Sequence, residues 1–370
     1  MKIAYLLIST SVFLFSALGS FAQYKYDYVW PLGYDRNYLD PNGELEGPVE
    51  NPSLNFNTDN GVFQIDSLYS IFDGTHGSLC DRQGRLQYIS NGCDIRDGEG
   101  QILKNGRFIN NTNSIYWRHC SDPETGSYPW SNISTMLPDP TDDEHAAFFC
   151  QTYTYAGNYL HINQLSYNEI RGDSVIQKNV PVVQDTLFPG WIASVKTADT
   201  LGWWIIQHAE EMNNIYAVKY IPYLDSFEVV TQRIGFLPAL SNALDCDAVF
   251  SPDGKQYYTM DPLNHLQIYD FDRSTGRLSN HRNIRFDIDT LFESGMAISG
   301  SGQYLYLNDY NEIYQVDLWA DDLAASIQQV GEHDGTVDPR LGFQNFRQQE
   351  LGPDCRIYIS ANGSSDHIHV

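Results

Sequence analysis

The chain has 370 residues and a formal charge of −25, from 22 Lys and Arg against 47 Asp and Glu. A hydrophobic content of 42% with 14% aromatic residues is enough apolar surface to offset chain entropy, which excludes wholesale disorder. The acid excess argues against nucleic acid and against an anionic membrane face, since both repel such a surface.

Met1-Lys2 is a short basic start, and Ile3 to Leu18 is almost wholly apolar. Ser20-Phe21-Ala22 puts small residues where a signal peptidase reads. Residues 1–22 are therefore expected to be a signal peptide cleaved before Gln23, and the mature chain to be exported, secreted or held at the outer surface. No later stretch approaches the ~18 apolar residues of a membrane span, so no membrane insertion is expected after cleavage. Residues 23–50 read as a lead segment and 51–370 as one β-rich domain.

Strand signals fill that domain: short runs of Tyr, Ile, Val and Phe bounded by Gly, Asp, Asn and Pro. Leu79 to Ile89 is a hairpin with its turn at Asp81 to Gly84. The spacing predicts four strands here, Leu79–Cys80, Arg85–Ser90, Cys93–Arg96 and Gln101–Lys104, with Asn91-Gly92 as a two-residue turn. A long segment, Gly106 to Asp142, carries Trp117, Trp130, Pro129, Pro138 and Pro140 and is the candidate contact loop. A blurred hairpin follows at Asp142 to Tyr153, and a clear one at Val195 to Ile206.

Val249 to Thr259 repeats the hairpin around Ser251-Pro252-Asp253-Gly254. Its four strands are predicted at Cys246–Ser251, Gln256–Met260, His265–Asp272 and Arg277–Ile284. Ala297 to Leu307 and Glu350 to Ser360 repeat it again. A spacing of roughly 50 to 60 residues matches the blade period of a β-propeller, so the expected fold is all-β with four-stranded blades, about six or seven of them. A sandwich would show short strands without that period. One short helix or loop turn is expected at Ala320 to Gln329. After Ile357 to Ser360 only the start of a third strand remains, so the last blade is expected to be truncated or else closed by an N-terminal strand.

The cysteines are Cys80, Cys93, Cys120, Cys150, Cys246 and Cys355. Export makes disulfides possible, and six cysteines allow 15 pairings. With Cys93 placed opposite Ser90 and Cys80 near Arg85, a Cys80–Cys93 bridge would span a strand of ~17 Å, too far to form. For each cysteine, burial in a strand core is the expected state.

The motifs in order resemble a family of large exported Bacteroidetes proteins. These begin with a propeller-like region and often end in a gliding-motility or type IX secretion sorting domain. The resemblance runs from Ser53-Leu54-Asn55-Phe56-Asn57 through Cys80 to Gly92 and Lys104-Asn105-Gly106. It continues with Ala193 to Lys196, Trp203 to His208, Phe250 to Lys255, Ile268 to Asp272 and Leu351 to Tyr358. Departures are Thr197, where the family often has His, and Cys355, where Gly is usual and a side chain would strain the turn. The sorting domain is absent from the sequence, in keeping with truncation.

No nucleophile elbow, His-Glu-x-x-His or phosphate loop is present. No catalytic residue, cofactor or metal ligand set is therefore expected from motifs. His208 could face the channel, with a hydrogen-bonded structural role as the plainer reading. His367-x-His369 could offer two imidazoles, and Asp94, Asp97 and Glu99 or Asp270 and Asp272 could offer oxygens to Ca²⁺; ordinary turn and surface roles compete with both. Five Asp-Ser/Thr-apolar tripeptides, such as Asp199-Thr200-Leu201, resemble Bacteroidetes O-glycosylation sites. The leading expectation is a non-enzymatic module that binds a protein or glycan at the cell surface. The alternatives are a hydrolase or lactonase with a channel site and a structural domain of an adhesin.

Overall fold

The computed structural model describes residues 24–32, 51–58, 62–66, 77–110, 119–120, 127–128, 132–156, 159–210, 213–236, 247–261, 265–287, 295–335, 337–338, 342–343, 345–361 and 368–370. Strands β1 (Val29–Pro31), β2 (Asn51–Asn55) and β3 (Val62–Asp66) form a first antiparallel sheet. Two four-stranded meanders follow: β4 (Gly77–Cys80), β5 (Leu86–Ser90), β6 (Asp94–Asp97), β7 (Ile102–Arg107), then β8 (Ser134–Asp139), β9 (Asp142–Ala156), β10 (Tyr159–Arg171), β11 (Ser174–Leu187). A parallel pairing of Ser174 with Lys104 joins their outer edges into one eight-stranded sheet.

Three sheets then repeat one pattern. They are β12 (Ala193–Lys196) to β15 (Ser226–Arg233), with β13 (Trp203–His208) and β14 (Asn214–Ile221) between; β16 (Ala248–Phe250), β17 (Gln256–Asp261), β18 (His265–Asp272) and β19 (Arg277–Ile284); and β20 (Met296–Ile298), β21 (Tyr304–Asn308), β22 (Glu312–Asp317) and β23 (Gln328–Glu332). A small hairpin, β24 (Val337–Asp338) with β25 (Gly342–Phe343), precedes the last sheet of β26 (Phe346–Leu351), β27 (Ile357–Ala361) and β28 (Ile368–His369). The fold is thus all-β and of the propeller type, and the strands predicted around Cys80 and Ser251 sit within a few residues of those found.

First strands succeed one another around the axis. β4 lies against β8, β12 against β16, β16 against β20 and β20 against β26. The Thr135 and Ser194 hydroxyls, 3.3 Å apart, link β8 to β12. β1 lies against β4, while Trp30 and Phe56 of the first sheet pack their rings on Tyr358 of the last. β1 pairs with β2, and no N-terminal strand joins the last sheet among the described residues.

The core lies between stacked sheet faces. Phe149, Tyr167 and Tyr220 fill one interface, Trp204, Ile206, Tyr257 and Phe271 the next, and Tyr258, Ile268, Leu305 and Val316 the third. Each aromatic ring removes about 150–250 Å² from water, which explains why aromatic-rich strands stack face to face. Arg273 stitches two sheets at their turns. Its guanidinium donates to the carbonyls of Lys196 (2.8 Å), Thr197 (3.0 Å) and Asp253 (3.0 Å), and its own carbonyl accepts from Trp204 Nε1 (2.7 Å).

Five hairpins carrying the sequence repeat close alike. The N–H of Gly84, Thr200, Gly254, Gly302 or Cys355 donates to the carbonyl three residues earlier, at 2.7–3.0 Å. The donor residue always has positive φ: 85°, 63°, 69°, 76° and 66° in that order. Glycine suits three of them; Cys355 holds a left-handed conformation that costs an L-residue about 1–2 kcal/mol. The expected strain at this turn is therefore present. Cys355 is exposed. Cys355→Gly should stabilise by about 0.5–1 kcal/mol after the extra entropy of glycine is set against the relief. A lower melting temperature in the variant would refute the strain.

Several expectations change. Ser90 pairs with Ile95, so the chain reverses over four residues rather than the two of Asn91-Gly92. The Asn91 side chain organises the reversal by accepting from the N–H groups of Cys93 (3.1 Å) and Asp94 (3.2 Å). Cys93 is bonded to Cys120, which leaves the exclusion of a Cys80–Cys93 bridge intact but by a different geometry. Burial holds for Cys80 and Cys150, fails for exposed Cys355, and accompanies bridging for Cys93 and Cys120; Cys246 lies outside the described residues. Of the helix or loop turn expected at Ala320 to Gln329, residues 320–327 take the turn, because the Asp322 carboxylate accepts from the Ala325 N–H and the Ser326 hydroxyl donates to the Leu323 carbonyl. The segment Gly106 to Asp142 is not all loop, since Ser134–Asp139 is the first strand of a sheet.

Candidate functional site

Asp247 immediately precedes β16 and is 9% exposed. Its two carboxylate oxygens accept from the N–H of Ala248 (2.7 Å) and from the N–H of Met296 (3.2 Å) in the neighbouring β20. The group thereby clamps two first strands together. Burial pushes its pKa up to about 7; the two N–H donors pull the other way and do not win.

Glu350 lies on β26. Two residues before the turn, where it stands, the other copies of the repeat carry Leu79, Val195, Val249 and Ala297. An acid thus replaces an apolar residue at a first-strand position. Glu350 is exposed to the water of the axis, yet the protein crowded around it pushes its pKa up to about 8 by desolvation, with repulsion from Asp247 and then Asp27 adding to the effect. Asp27, just ahead of β1, is raised as well, chiefly by desolvation. Carboxyls from two other sheets thus act on Glu350.

The backbone near Glu350 is held firmly. Gln349 Nε2 donates to the Gly295 carbonyl (3.3 Å) and to Asn308 Oδ1. A Cβ on Gly295 would sit 2.2 Å from the Gln349 nitrogen, so the approach of β26 to β20 requires glycine there. Asn132 Nδ2 donates to Gln348 Oε1 (2.7 Å) and connects the chain ahead of β8 with β26, whose sheets are not neighbours in the ring.

The residues singled out in the sequence lie elsewhere. His208, at the end of β13, is 3% exposed between two sheets. Its Nε2 is 3.1 Å from the Tyr257 hydroxyl, its ring stacks on Tyr257, and Trp191 meets it edge-on. Burial lowers its pKa to about 3, so the imidazole is neutral. Trp117, Trp130 and His367 lie outside the described residues, as does the side chain of His369. Asp94 is paired with buried Arg96 at 2.9 and 3.0 Å. Asp97 accepts from the N–H groups of Glu99 and Gln101, Asp272 from the Ser274 N–H and the Thr275 hydroxyl, and Asp270 from Asn280 Nδ2. Four of the carboxylates considered for Ca²⁺, Asp94, Asp97, Asp270 and Asp272, are thus engaged within their own sheets and turns. A cavity of about 450 Å³ at the rim, lined by Arg282, Arg285, Leu318, Asp321 and Leu323, mixes both signs of charge.

No family model matches the chain, and no curated protein does. Among solved structures it is similar to hydrazine synthase of Kuenenia stuttgartiensis (11% identity, 95% of this chain and 97% of that one, TM-score 0.47). It is also similar to the Dos1 propeller (11%, 77% and 70%, 0.39) and to a gluconolactonase of Xanthomonas campestris (13%, 79% and 85%, 0.40). Likeness at this level carries nothing about activity.

Proposed function

We propose that this is an exported seven-bladed propeller that hydrolyses a neutral ester or lactone at its axis. The observation that carries the reading is Glu350, an acid in an apolar repeat position, set electrostatically against Asp247. Both carboxyls are pushed up toward neutral pH, so that one can be ionised while the other holds a proton, which suits a base and an acid working as a pair. Asp247 takes a proton from the attacking water as its oxygen bonds the carbonyl carbon. Glu350 gives its proton to the leaving oxygen as the ester C–O bond breaks. None of this needs a nucleophile motif, so the missing motifs that favoured a pure binding module do not weigh against it. Seven blades follow from counting the eight-stranded sheet as two and the first and last sheets as one each. Export and kinship with the Bacteroidetes propeller family rest on the N-terminal segment and the ordered motifs.

The test uses mature protein from the native host, with an intact mass that starts at Gln23. Initial rates on a panel of lactones and esters should peak near pH 7.5, and Asp247→Asn and Glu350→Gln should each lower kcat by about 10²–10⁴-fold. No turnover across the panel, or turnover untouched by both variants, would sink the proposal; a mass that includes residues 1–22 would remove export by cleavage.

A second reading, the binding module, is favoured by exposed Leu201, Tyr223 and Leu224 at the turns of the β12–β15 sheet. Glycan or protein capture that survives their replacement by Ser would count against that surface.

A further inference from the structure

We propose that His145, Glu169 and Asp225 form a binding site for a divalent transition metal, zinc by preference, at the junction of two sheets. His145 is on β9 and Glu169 on the paired β10; Asp225 follows the 3-10 turn Pro222–Leu224 of the next sheet, held at φ 45°. His145 and Glu169 side chains are 1% exposed, whereas Asp225 is 39% exposed and leaves a way in from solvent.

The geometry is that of a coordination set. Asp139 Oδ2 lies 2.9 Å from His145 Nδ1 and orients the ring, as an outer carboxylate does for a metal-bound imidazole. The other ring nitrogen, Nε2, faces Glu169 Oε1 at 3.6 Å and Asp225 Oδ1 at 3.5 Å. Donor atoms of all three residues lie within 4.8 Å of one another. With bonds of about 2.1 Å, tetrahedral zinc separates its ligands by about 3.4 Å, close to both distances from Nε2. The Tyr220 hydroxyl is 3.4 Å from the same nitrogen. An imidazole with two carboxylates suits zinc better than calcium, which takes six to eight oxygens.

One cation already touches these acids. Arg171 Nε donates to Glu169 Oε1 (2.9 Å), while its other nitrogens lie 3.3 Å from Asp225 Oδ2 and 3.8 Å from Asp142 Oδ2. Gln177 Nε2 holds Glu169 Oε2 at 2.7 Å. Arg171 is 41% exposed and can swing to solvent. The guanidinium and a metal ion compete for the same oxygen, Glu169 Oε1, so removing the guanidinium must favour the ion. A purely structural ion-pair network would show no such gain.

Isothermal titration of zinc chloride into chelator-treated full-length protein tests this. Wild type should bind one zinc that Asp225→Asn weakens by 100-fold or more and Asp139→Asn by about 10–100-fold. Arg171→Ala should bind it about tenfold more tightly, with circular dichroism confirming that each variant is folded. Absence of zinc binding in both wild type and Arg171→Ala overturns the site. So does zinc binding that neither Asp225→Asn nor Arg171→Ala alters, because the metal is then held elsewhere. The readout is independent of the axial carboxyls, so failure here leaves the hydrolase proposal standing and its failure leaves this one.

Discussion

The stability advantage of the parent protein over Asp247→Asn is expected to shrink by about 2.5 kcal/mol between pH 5 and pH 8. The sign follows from the proton count. The Asp247 pKa rises from 3.8 to about 7 on folding, so between those values the native state holds a proton that the unfolded chain has released. Its contribution is full below the unfolded pKa and is lost as pH climbs through the folded one. Glu350 acts in the same direction. His208 acts in the opposite one: its pKa falls from 6.5 to about 3, so its contribution is present above 6.5 and is lost toward acid. With Asp247 and Glu350 both losing their contribution toward alkali and His208 alone gaining, the parent is expected to be less stable at pH 8 than at pH 5, and the Asn variant to lose about 2.5 kcal/mol less over the same range. Urea unfolding at the two pH values measures this. Parallel profiles for parent and variant would show that Asp247 ionises normally.

Reduction of the Cys93–Cys120 bridge is expected to cost about 3.5 kcal/mol, the chain entropy released by opening a loop of this size. The two residues are 27 apart in sequence, with Cα atoms 5.5 Å apart. The bridge ties the β5–β6 reversal to the segment ahead of β8, where the Tyr128 N–H also bonds the Asn91 carbonyl at 3.0 Å. Melts with and without reductant should differ by roughly 5 °C. Cys80 and Cys150 provide the control. Burial pushes both thiols up to about 12, so in the native protein they should stay silent to a thiol reagent that labels Cys355. Equal melting temperatures would mean that the loop is already ordered without the bridge.

The hairpins were legible because their causes are local. A positive φ three residues into the turn, and a Ser, Thr or Asp side chain bonding the backbone nearby, act within five or six residues of chain. Ser251-Pro252-Asp253-Gly254 and Asp81-Arg82-Gln83-Gly84 announce themselves for that reason, and their spacing indicated the propeller. The turn at Asn91-Gly92 was misjudged in length because the Asn91 side chain caps two further N–H groups. Between the short helix and the loop turn expected at Ala320 to Gln329, the same competition selects the turn, at Asp322. Glu350 did leave a trace, as the one acid at a repeat position otherwise Leu, Val or Ala, and the alignment of the hairpins could have exposed it.

By itself the sequence determined the strands, their hairpins, the repeat and with it the all-β propeller class. Only the tertiary structure decided which distant side chains meet. Asp247 reaches the N–H of Met296, and acts with Asp27 on Glu350, because first strands from different sheets converge on one axis. Cys93 finds Cys120, and His145 finds Glu169 and Asp225, because sheet faces and turns stack. Turn geometry and strand alternation are set by forces between near neighbours in the chain, which composition and spacing record. Encounters across the ring depend on how stacked faces exclude water, and so does the burial that moves the carboxyl pKa values; neither has a local signature.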